Sequence, residues 1–529
     1  MRLSVVIPTC NRATLLRRLL AQLAAQTAGG FEVRVVDDGS TTPVDFAGLR
    51  TTYPLHLLRQ RNAGAAAARH AGVLAAQGEL ILFVDDDMQV APDFVEQHLR
   101  AHQQHGRVVV LGRIRADPAV AKMPLFERWH AVLLDRKAEE IRSSALAVRG
   151  NLLFTGNASL RREDYLAVGG FDTTLENSED VELGLRLEKA GVAFVFSEQA
   201  FTLHGSDHTS LEKWRRRARR YGSIDHRIAG KHPELRHANP WRFAFDLKPL
   251  ARPFVAAALL LPRKASVAAG ALARAAELAD GAGLARPAIS ATTLAYAVEY
   301  FSGLRTAAGS PAEALEELVQ FVGRFESGAA AAGARALLDL REDQAVMAAY
   351  ERKYGHKSPS TSLPSDLVQK IGLQMMAAVR LMQALHRGGS SLGAKIVSRL
   401  IRHLYGADIH WDTALAPGVM IVHGMGLALS SAARVGSGCI LFQNVTLGIG
   451  IDPVTRESGA PTLEENVHVG PGATLIGPIT VGAGSKVMAG AVLTTSVPPN
   501  SLVQTPSPLT LPRVSERKPA PQPLRKVAS

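Results

Sequence analysis

Only two of the 529 residues are cysteines, Cys10 and Cys439, and they stand far apart. That excludes a disulfide framework and a Cys-rich zinc site, and it fits a reducing compartment. Aromatic residues are scarce at 5%. Long apolar runs are missing too. The longest, Phe254 to Leu261, is bounded by Arg252-Pro253 and Pro262-Arg263-Lys264 and falls far short of the roughly 20 residues a membrane helix needs. The opening stretch Leu3 to Ile7 is too short for a signal peptide, and Pro8 ends it. The expectation is a cytoplasmic protein, with at most peripheral contact at the inner face of a membrane.

What is present is globular: 47% hydrophobic and 20% charged, in a chain long enough for three or four domains. The net charge is +12, and its densest cluster is Lys213-Trp-Arg-Arg-Arg-Ala-Arg-Arg220. No nucleic-acid-binding motif accompanies that cluster, so nucleic acid is not expected as a partner. It reads either as a solvated helix face or as an attractor for phosphate-bearing substrates and anionic headgroups.

Strand and helix patterns alternate over the first 120 residues. Leu3–Ile7, Val33–Val36, Leu55–Leu58 and Leu80–Val84 read as strands; Asn11–Gln26 and Ala63–Ala76 read as helices. That order predicts a parallel sheet covered on both faces, with ligands beyond the carboxyl ends of its strands. Polar residues fall at those ends: Thr9, Asp37-Asp38 and Asp85-Asp86-Asp87. From Pro240 to Leu400 the chain is helical and Ala-rich. Ser310-Pro-Ala-Glu opens one helix, Ser358 to Ser365 reads as a linker, and a break falls at Gly388 to Ser391. Beyond that the apolar period becomes six: Ile409, Leu415, Ile421, Leu427; then Val435, Leu441, Leu447; then Leu463 to Leu493, with Ile449–Thr462 extruded as a loop. A parallel β-helix with hexapeptide sides has that period. The domains expected are 1–240 (α/β), 241–365 (helical extension and linker), 366–405 (helical lead-in), 406–511 (β-helix) and 512–529 (a disordered basic tail).

Three consecutive carboxylates ending a buried strand repel one another unless a cation or ligand offsets them. Mg²⁺ or Mn²⁺, held by one or two carboxylates and substrate phosphates, does so and neutralises a leaving diphosphate. Four motifs follow in order: Ile7-Pro-Thr-Cys-Asn-Arg12, Val36-Asp-Asp-Gly-Ser40, Asn62-Ala-Gly-Ala-Ala-Ala-Ala-Arg69 and Phe83-Val-Asp-Asp-Asp-Met88. Thr155-Gly-Asn-Ala-Ser159, Gly169-Gly-Phe-Asp172 and Glu179-Asp-Val-Glu-Leu183 come after them. Over residues 1 to 240 the chain resembles family-2 glycosyltransferases of the GT-A fold, a Rossmann-like architecture for nucleotide-diphospho-sugars. The resemblance implies a nucleotide-sugar site at Pro8, Thr9, Asn11, Arg12, Asp37, Asp38, Asn62, Arg69, Asp85 and Asp86. It implies a metal bound by Asp85, Asp87 and His204, with Asp87 the direct ligand. Asp180 matches the base that deprotonates the acceptor hydroxyl in an inverting transfer.

In the six-period region, Asp408-Ile-His410 and Val422-His-Gly-Met-Gly426 resemble serine acetyltransferases, which use a left-handed β-helix of about 18 residues per coil, acetyl-CoA and a trimeric assembly. The resemblance implies His423 as general base oriented by Asp408, and acetyl-CoA against Asn444, Thr446, Gly448, Gly470 and Lys486. Three positions depart from that family: Val422 replaces an Asp, Ser430-Ser431-Ala432 replaces Gly-Glu-Thr, and Gly459-Ala-Pro461 replaces Arg-His-Pro. Those positions bind the amino-acid acceptor, so free serine is in doubt, and the Gly-Ala-Pro variant is similar to acetyltransferases found with polysaccharide-assembly enzymes. The expectation is a homotrimeric, bifunctional enzyme that glycosylates a saccharide, lipid-linked or natural-product acceptor and O-acetylates a hydroxyl. Two alternatives stay open: a glycosyltransferase trimerised by a non-catalytic β-helix, and a serine O-acetyltransferase with an accessory N-terminal domain.

Overall fold

A computed structural model describes residues 2–205, 209–354, 362–452 and 454–505. The expected tail at 512–529 and residues 358–361 of the expected linker lie outside the described residues. Two compact units divide the chain, Met1–Phe321 and Val322–Ser529.

The first unit is built on strands β1 (Leu3–Thr9), β2 (Phe31–Asp38), β3 (Leu55–Gln60), β4 (Leu80–Val84), β5 (Met88–Val90), β6 (Val108–Ala116), β7 (Asn157–Arg161) and β8 (Ala193–His204). They form one sheet in the order β3-β2-β1-β4-β7-β6-β8-β5. The strands β3, β2, β1 and β4 are mutually parallel; helices connect β1 to β2 and β3 to β4, and a helix-free segment long enough for a crossover connects β2 to β3. The sheet as a whole is mixed, because β7 runs antiparallel to both β4 and β6. Leu80–Val84 has no exposed residue, which is why it reads as an unbroken apolar run rather than an alternating one. Helices α1 (Ala13–Ala24), α2 (Ala65–Ala75), α3 (Phe94–His105), α4 (Leu125–Arg142), α5 (Arg162–Ala167), α6 (Glu179–Lys189) and α7 (Leu211–Lys231) accompany the sheet. Leu16, Leu19, Leu20 and Leu23 bury the inner stripe of α1.

Helices 252–260, 262–281 and 285–308 complete this unit. The third crosses α7 so closely that a Cβ at Gly222 would stand 1.9 Å from the Tyr300 carbonyl, and one at Gly303 1.8 Å from that of Arg219. The crossing also absorbs part of the basic cluster. Glu299, fully buried, is gripped by Arg215 and Arg219 at 2.7 Å each. Arg215 is a largely buried partner of that carboxylate, while Arg219 pairs with it from the half-exposed side of the helix.

In the second unit, helices 328–353, 363–369, 371–387 and 391–405 precede a left-handed parallel β-helix. Its three faces are parallel ladders through Asp408–Ile409, Ala414–Leu415 and Met420–Ile421. Leu415, Ile421, Leu441, Leu447, Leu463, Val469, Leu475 and Val481 fill its interior. One register differs from expectation. Asp408 pairs with Ala428, so the ladder residue after Ile421 is Leu429 and not Leu427, although Leu427 is also buried. The first coil thus spans twenty residues, and the next, Ala428 to Thr446, the usual eighteen. The two extra residues sit at the corner that carries His423, whose φ of +53° lies in the left-handed region. The extruded segment pairs antiparallel to itself, Gly450–Ile451 with Ser458–Gly459. Arg380 and Asp343, both buried, anchor the lead-in helices: Asp343 accepts from Arg380 and from the backbone of Gly418 and Val419, and Arg380 Nη1 donates to the Leu415 carbonyl.

Candidate functional site

In the first unit, β1, β2 and β4 deliver Thr9, Asp37-Asp38 and Asp85-Asp86-Asp87 to one edge of the sheet. Each of the three consecutive carboxylates has its own partner. Arg69, buried on α2, donates to Asp85 Oδ1 at 2.6 Å and to Glu179 Oε1 at 2.8 Å. Thr9 Oγ1 donates to Asp86 Oδ2 at 2.7 Å. Arg12 Nη1 donates to Asp87 Oδ2 at 2.7 Å and to Asp86 Oδ1 at 3.3 Å. Burial pushes the Asp86 carboxyl up to about 6, in spite of the Thr9 bond and Arg12. Asp87 Oδ1 is buried and accepts no hydrogen bond, and His204 Nε2, at the end of β8, lies 3.8 Å from Asp87 Oδ2.

Asp37 and Asp38 divide their work. Asp37 is fully buried and accepts from the Ser40 backbone at 2.9 Å; burial raises its carboxyl, but its hydrogen bonds outweigh that and hold it low. It therefore holds the turn. Asp38 accepts from the Ala63 and Gly64 backbone at 2.9 Å each, and Asn62 Nδ2 donates to the Asp38 carbonyl at 3.0 Å. Asn11, at φ +57°, donates from its backbone to Ser40 Oγ and accepts from Thr41 through its side chain. Pro8 is paired in register with Val36 inside the sheet.

Among the described residues no group of three or more His, Cys, Asp or Glu side chains is arranged to hold a metal. The donors on offer are the unpartnered Asp87 oxygen and His204, while Asp85 is turned to Arg69. That set fits a hard divalent ion that takes one or two carboxylates and fills its shell from phosphate oxygens. It does not fit an all-protein cage.

Asp180 sits at the start of α6, joined to the strand-end carboxylates through the Glu179–Arg69–Asp85 chain. Burial first, then the Glu179 charge, raises its carboxyl to about 7, opposed by Arg69. The residue before Glu179, Ser178, adopts φ +56°, and Ser178 Oγ donates to Asp225 Oδ1 at 3.0 Å. Tyr300 Oη donates to the other Asp225 oxygen at 2.8 Å. The helix 285–308 thus braces the turn that presents Asp180. Sequence reasoning missed Asp225 and Tyr300. Their sole signal is an acid beside the apolar stripe of α7, Ala218, Ile224 and Ile228, which names no partner.

In the second unit His423 is exposed on the corner between two faces of the β-helix. Asn444 and Gly470 occupy the same corner in the following coils, since Asn444 N bonds the Met425 carbonyl and Gly472 N the Gln443 carbonyl. Thr446 and Gly448 begin the face on one side, in the ladder of Asp408; Lys486 lies on the other, paired with His468. The residues expected around acetyl-CoA therefore line one edge of the prism. Asp408 and His423 are not joined by a hydrogen bond: the Asp408 carboxylate accepts from Arg402, an exposed pair. Gln443 Oε1, at the same corner, is buried without a partner.

Residues 4–165 match the family model for glycosyl transferase family 2. Over 241 residues the chain is 32% identical to a pre-mycofactocin glycosyltransferase of Mycobacterium tuberculosis, covering 44% of this chain and 48% of that one. Over 134 residues it is 35% identical to a serine acetyltransferase of Synechococcus elongatus, covering 25% of this chain and 53% of that one. A Brucella abortus serine acetyltransferase solved with coenzyme A matches at 29% identity with a TM-score of 0.27, covering 32% of this chain and 64% of that one. The chain spans about half the length of these curated relatives. Its N-terminal part thus matches the glycosyl transferase family 2 model, and its hexapeptide-repeat part is similar to serine acetyltransferases. Among the described residues no helix is long and apolar enough to cross a membrane.

Proposed function

We propose that the chain is a two-activity transferase: sugar transfer from a nucleotide-sugar to a saccharide, lipid-linked or natural-product hydroxyl, and O-acetylation from acetyl-CoA. The observation that supports the first activity is the chain of contacts from the strand-end carboxylates through Arg69 to Glu179, the residue next to Asp180, whose own carboxyl is raised to about 7 by burial and the Glu179 charge. Asp180 takes the proton of the acceptor hydroxyl as that oxygen attacks the anomeric carbon and the bond to the diphosphate breaks, so configuration inverts. Thr9, Asp38 and Asn62 border the nucleoside side of the same edge, and Arg12 and Arg69 hold the carboxylates in place. A divalent ion on Asp87 and His204 would supply the charge that neutralises the departing diphosphate.

For acetyl transfer, His423 removes the proton of an acceptor hydroxyl, the oxygen attacks the thioester carbonyl, and coenzyme A leaves as a thiolate that takes the proton back. Asp408 orients the imidazole once it leaves Arg402, a change of low cost because an exposed ion pair contributes little. The Asp408–Arg402 pair also favours a second reading, in which the β-helix gathers three glycosyltransferase units without catalysis. One assay separates them. Wild-type protein is incubated with a nucleotide-sugar panel and Mn²⁺, then with acetyl-CoA and the glycosylated product. Nucleoside diphosphate release lost in EDTA supports the first activity, and free thiol supports the second. Sugar transfer without thiol release leaves the scaffold; thiol release with free serine at the same rate restores a cysteine-pathway enzyme.

A further inference from the structure

The helix 262–281 is inside out, and helix 252–260, which buries Val255 and Ala258, still exposes Phe254 and Leu260. A helix packed on a domain normally buries its large apolar side chains and exposes its small and charged ones. Here the buried face of 262–281 is Ala265, Ser266, Ala269, Gly270, Ala273 and Ala276. Two of that helix's three large apolar residues point the other way, Val267 at 75% exposed and Leu278 at 78%, and Leu272 is half-buried. Leu250, at 86%, with Phe254, Leu260 and Leu261, continues the same composition along the preceding helix and loop. Across residues 247–288 there are six basic side chains, Lys248, Arg252, Arg263, Lys264, Arg274 and Arg286. The acids there are Glu277 and Asp280, and Asp280 is paired with Arg128. Large exposed aliphatics interleaved with cations, on helices that are not long and apolar enough to cross a bilayer, are the composition of an interfacial membrane-binding surface.

We propose that the surface formed by residues 248–286 docks the first unit onto a membrane rich in anionic lipid headgroups. Lys248, Arg252, Arg263 and Lys264 meet the headgroups, while Leu250, Phe254, Leu260, Leu261, Val267 and Leu278 enter the acyl boundary. The charge balance selects this occupant: a purely apolar protein interface would not need a cationic frame, and an anionic surface is attracted by it. The surface is distinct from the Lys213–Arg220 cluster, two of whose arginines are spent on Glu299.

The test uses full-length protein and large vesicles of phosphatidylcholine alone or mixed with phosphatidylglycerol, read by co-sedimentation at low and high salt. Wild type should pellet with the phosphatidylglycerol vesicles and not with phosphatidylcholine. Two variants, Leu250→Ser with Leu278→Ser and Arg263→Glu with Lys264→Glu, should each lower the partition coefficient about tenfold or more. Both change exposed side chains, so thermal unfolding should match wild type, and light scattering should show the same mass. Absence of wild-type binding to phosphatidylglycerol vesicles overturns the proposal. So does binding that survives the leucine pair, which would place the lipid contact elsewhere. A change of mass in the variants with no lipid binding in the wild type makes the surface an interface between copies of the chain.

Discussion

Asp87 and Asp180 have been treated differently by the fold, and the difference sets what replacing each should do. Asp87 has one oxygen on Arg12 and one buried oxygen that accepts no hydrogen bond, so half of its carboxylate does not brace the fold. Asp87→Ala is expected to lower nucleoside diphosphate release by about a hundredfold or more with saturating Mn²⁺, since a metal on a phosphoryl oxygen is worth several kcal/mol. Circular dichroism should show the same fold. Asp180 is shifted the opposite way from a salt-bridged carboxylate. Its folded pKa lies above its unfolded one, so the native state holds the extra proton, and the carboxylate costs stability that is absent below the unfolded value near 4 and fully felt above about 7. Asp180→Asn should therefore raise the Tm at pH 8 and have little effect at pH 4. The same variant should cut kcat by about 10²–10⁴-fold while nucleotide affinity holds. A Tm gain that does not depend on pH would remove the carboxylate from the account.

At the scale of single elements, what could be read in advance followed from chain-local physics. The strand Leu80–Val84 was legible to the residue, because a strand buried on both faces is an apolar run. The reciprocal cap at Ser310 and Glu313 was legible too: Glu313 N donates to Ser310 Oγ at 3.1 Å and Ser310 N to Glu313 Oε2 at 2.5 Å. The hexad period gave the prism but slipped at Leu427, because an extra pair of residues in a corner leaves the apolar pattern unbroken on both sides. The positions of Asp225 and Tyr300 were not legible at all, since a contact between helices 75 residues apart has no local signature. These two should act on the base without touching the sugar donor. Tyr300→Phe is expected to lower kcat severalfold and shift the acid limb of its pH profile, with nucleotide affinity unchanged. The helix crossing offers a contrasting case. Glu299→Ala leaves Arg215 and Arg219 without their carboxylate and should cost about 2–4 kcal/mol in a denaturant titration, the lower end reflecting the half-exposed Arg219.

For the molecule as a whole, the β-helix predicts number. Light scattering on the full-length chain should give three copies or a multiple of three; a monomer would count against both the acetyltransferase reading and the scaffold reading. His423 supplies the other molecular test. Its replacement should eliminate thiol release while mass and sugar transfer stay at wild-type levels, because the imidazole is exposed and lies outside the packed interior.

The corner at His423 has one more consequence, for how such an enzyme can change. Its two surplus residues lie between ladders, so the Met420–Ile421 and Ala428–Leu429 pairings do not depend on the exposed residues that join them, His423 and Met425, although Gly424 and Leu427 are packed inward. The exposed positions of the corner can be rewritten while the stacked strands keep their partners. What it cannot ignore is handedness: at φ +53° Asn or Gly substitutes for His423 with little strain, whereas Ala adds about 1 kcal/mol that has nothing to do with proton transfer. Specificity is therefore free to drift at this edge on a prism that stays the same, and His423→Asn is the cleanest way to silence it.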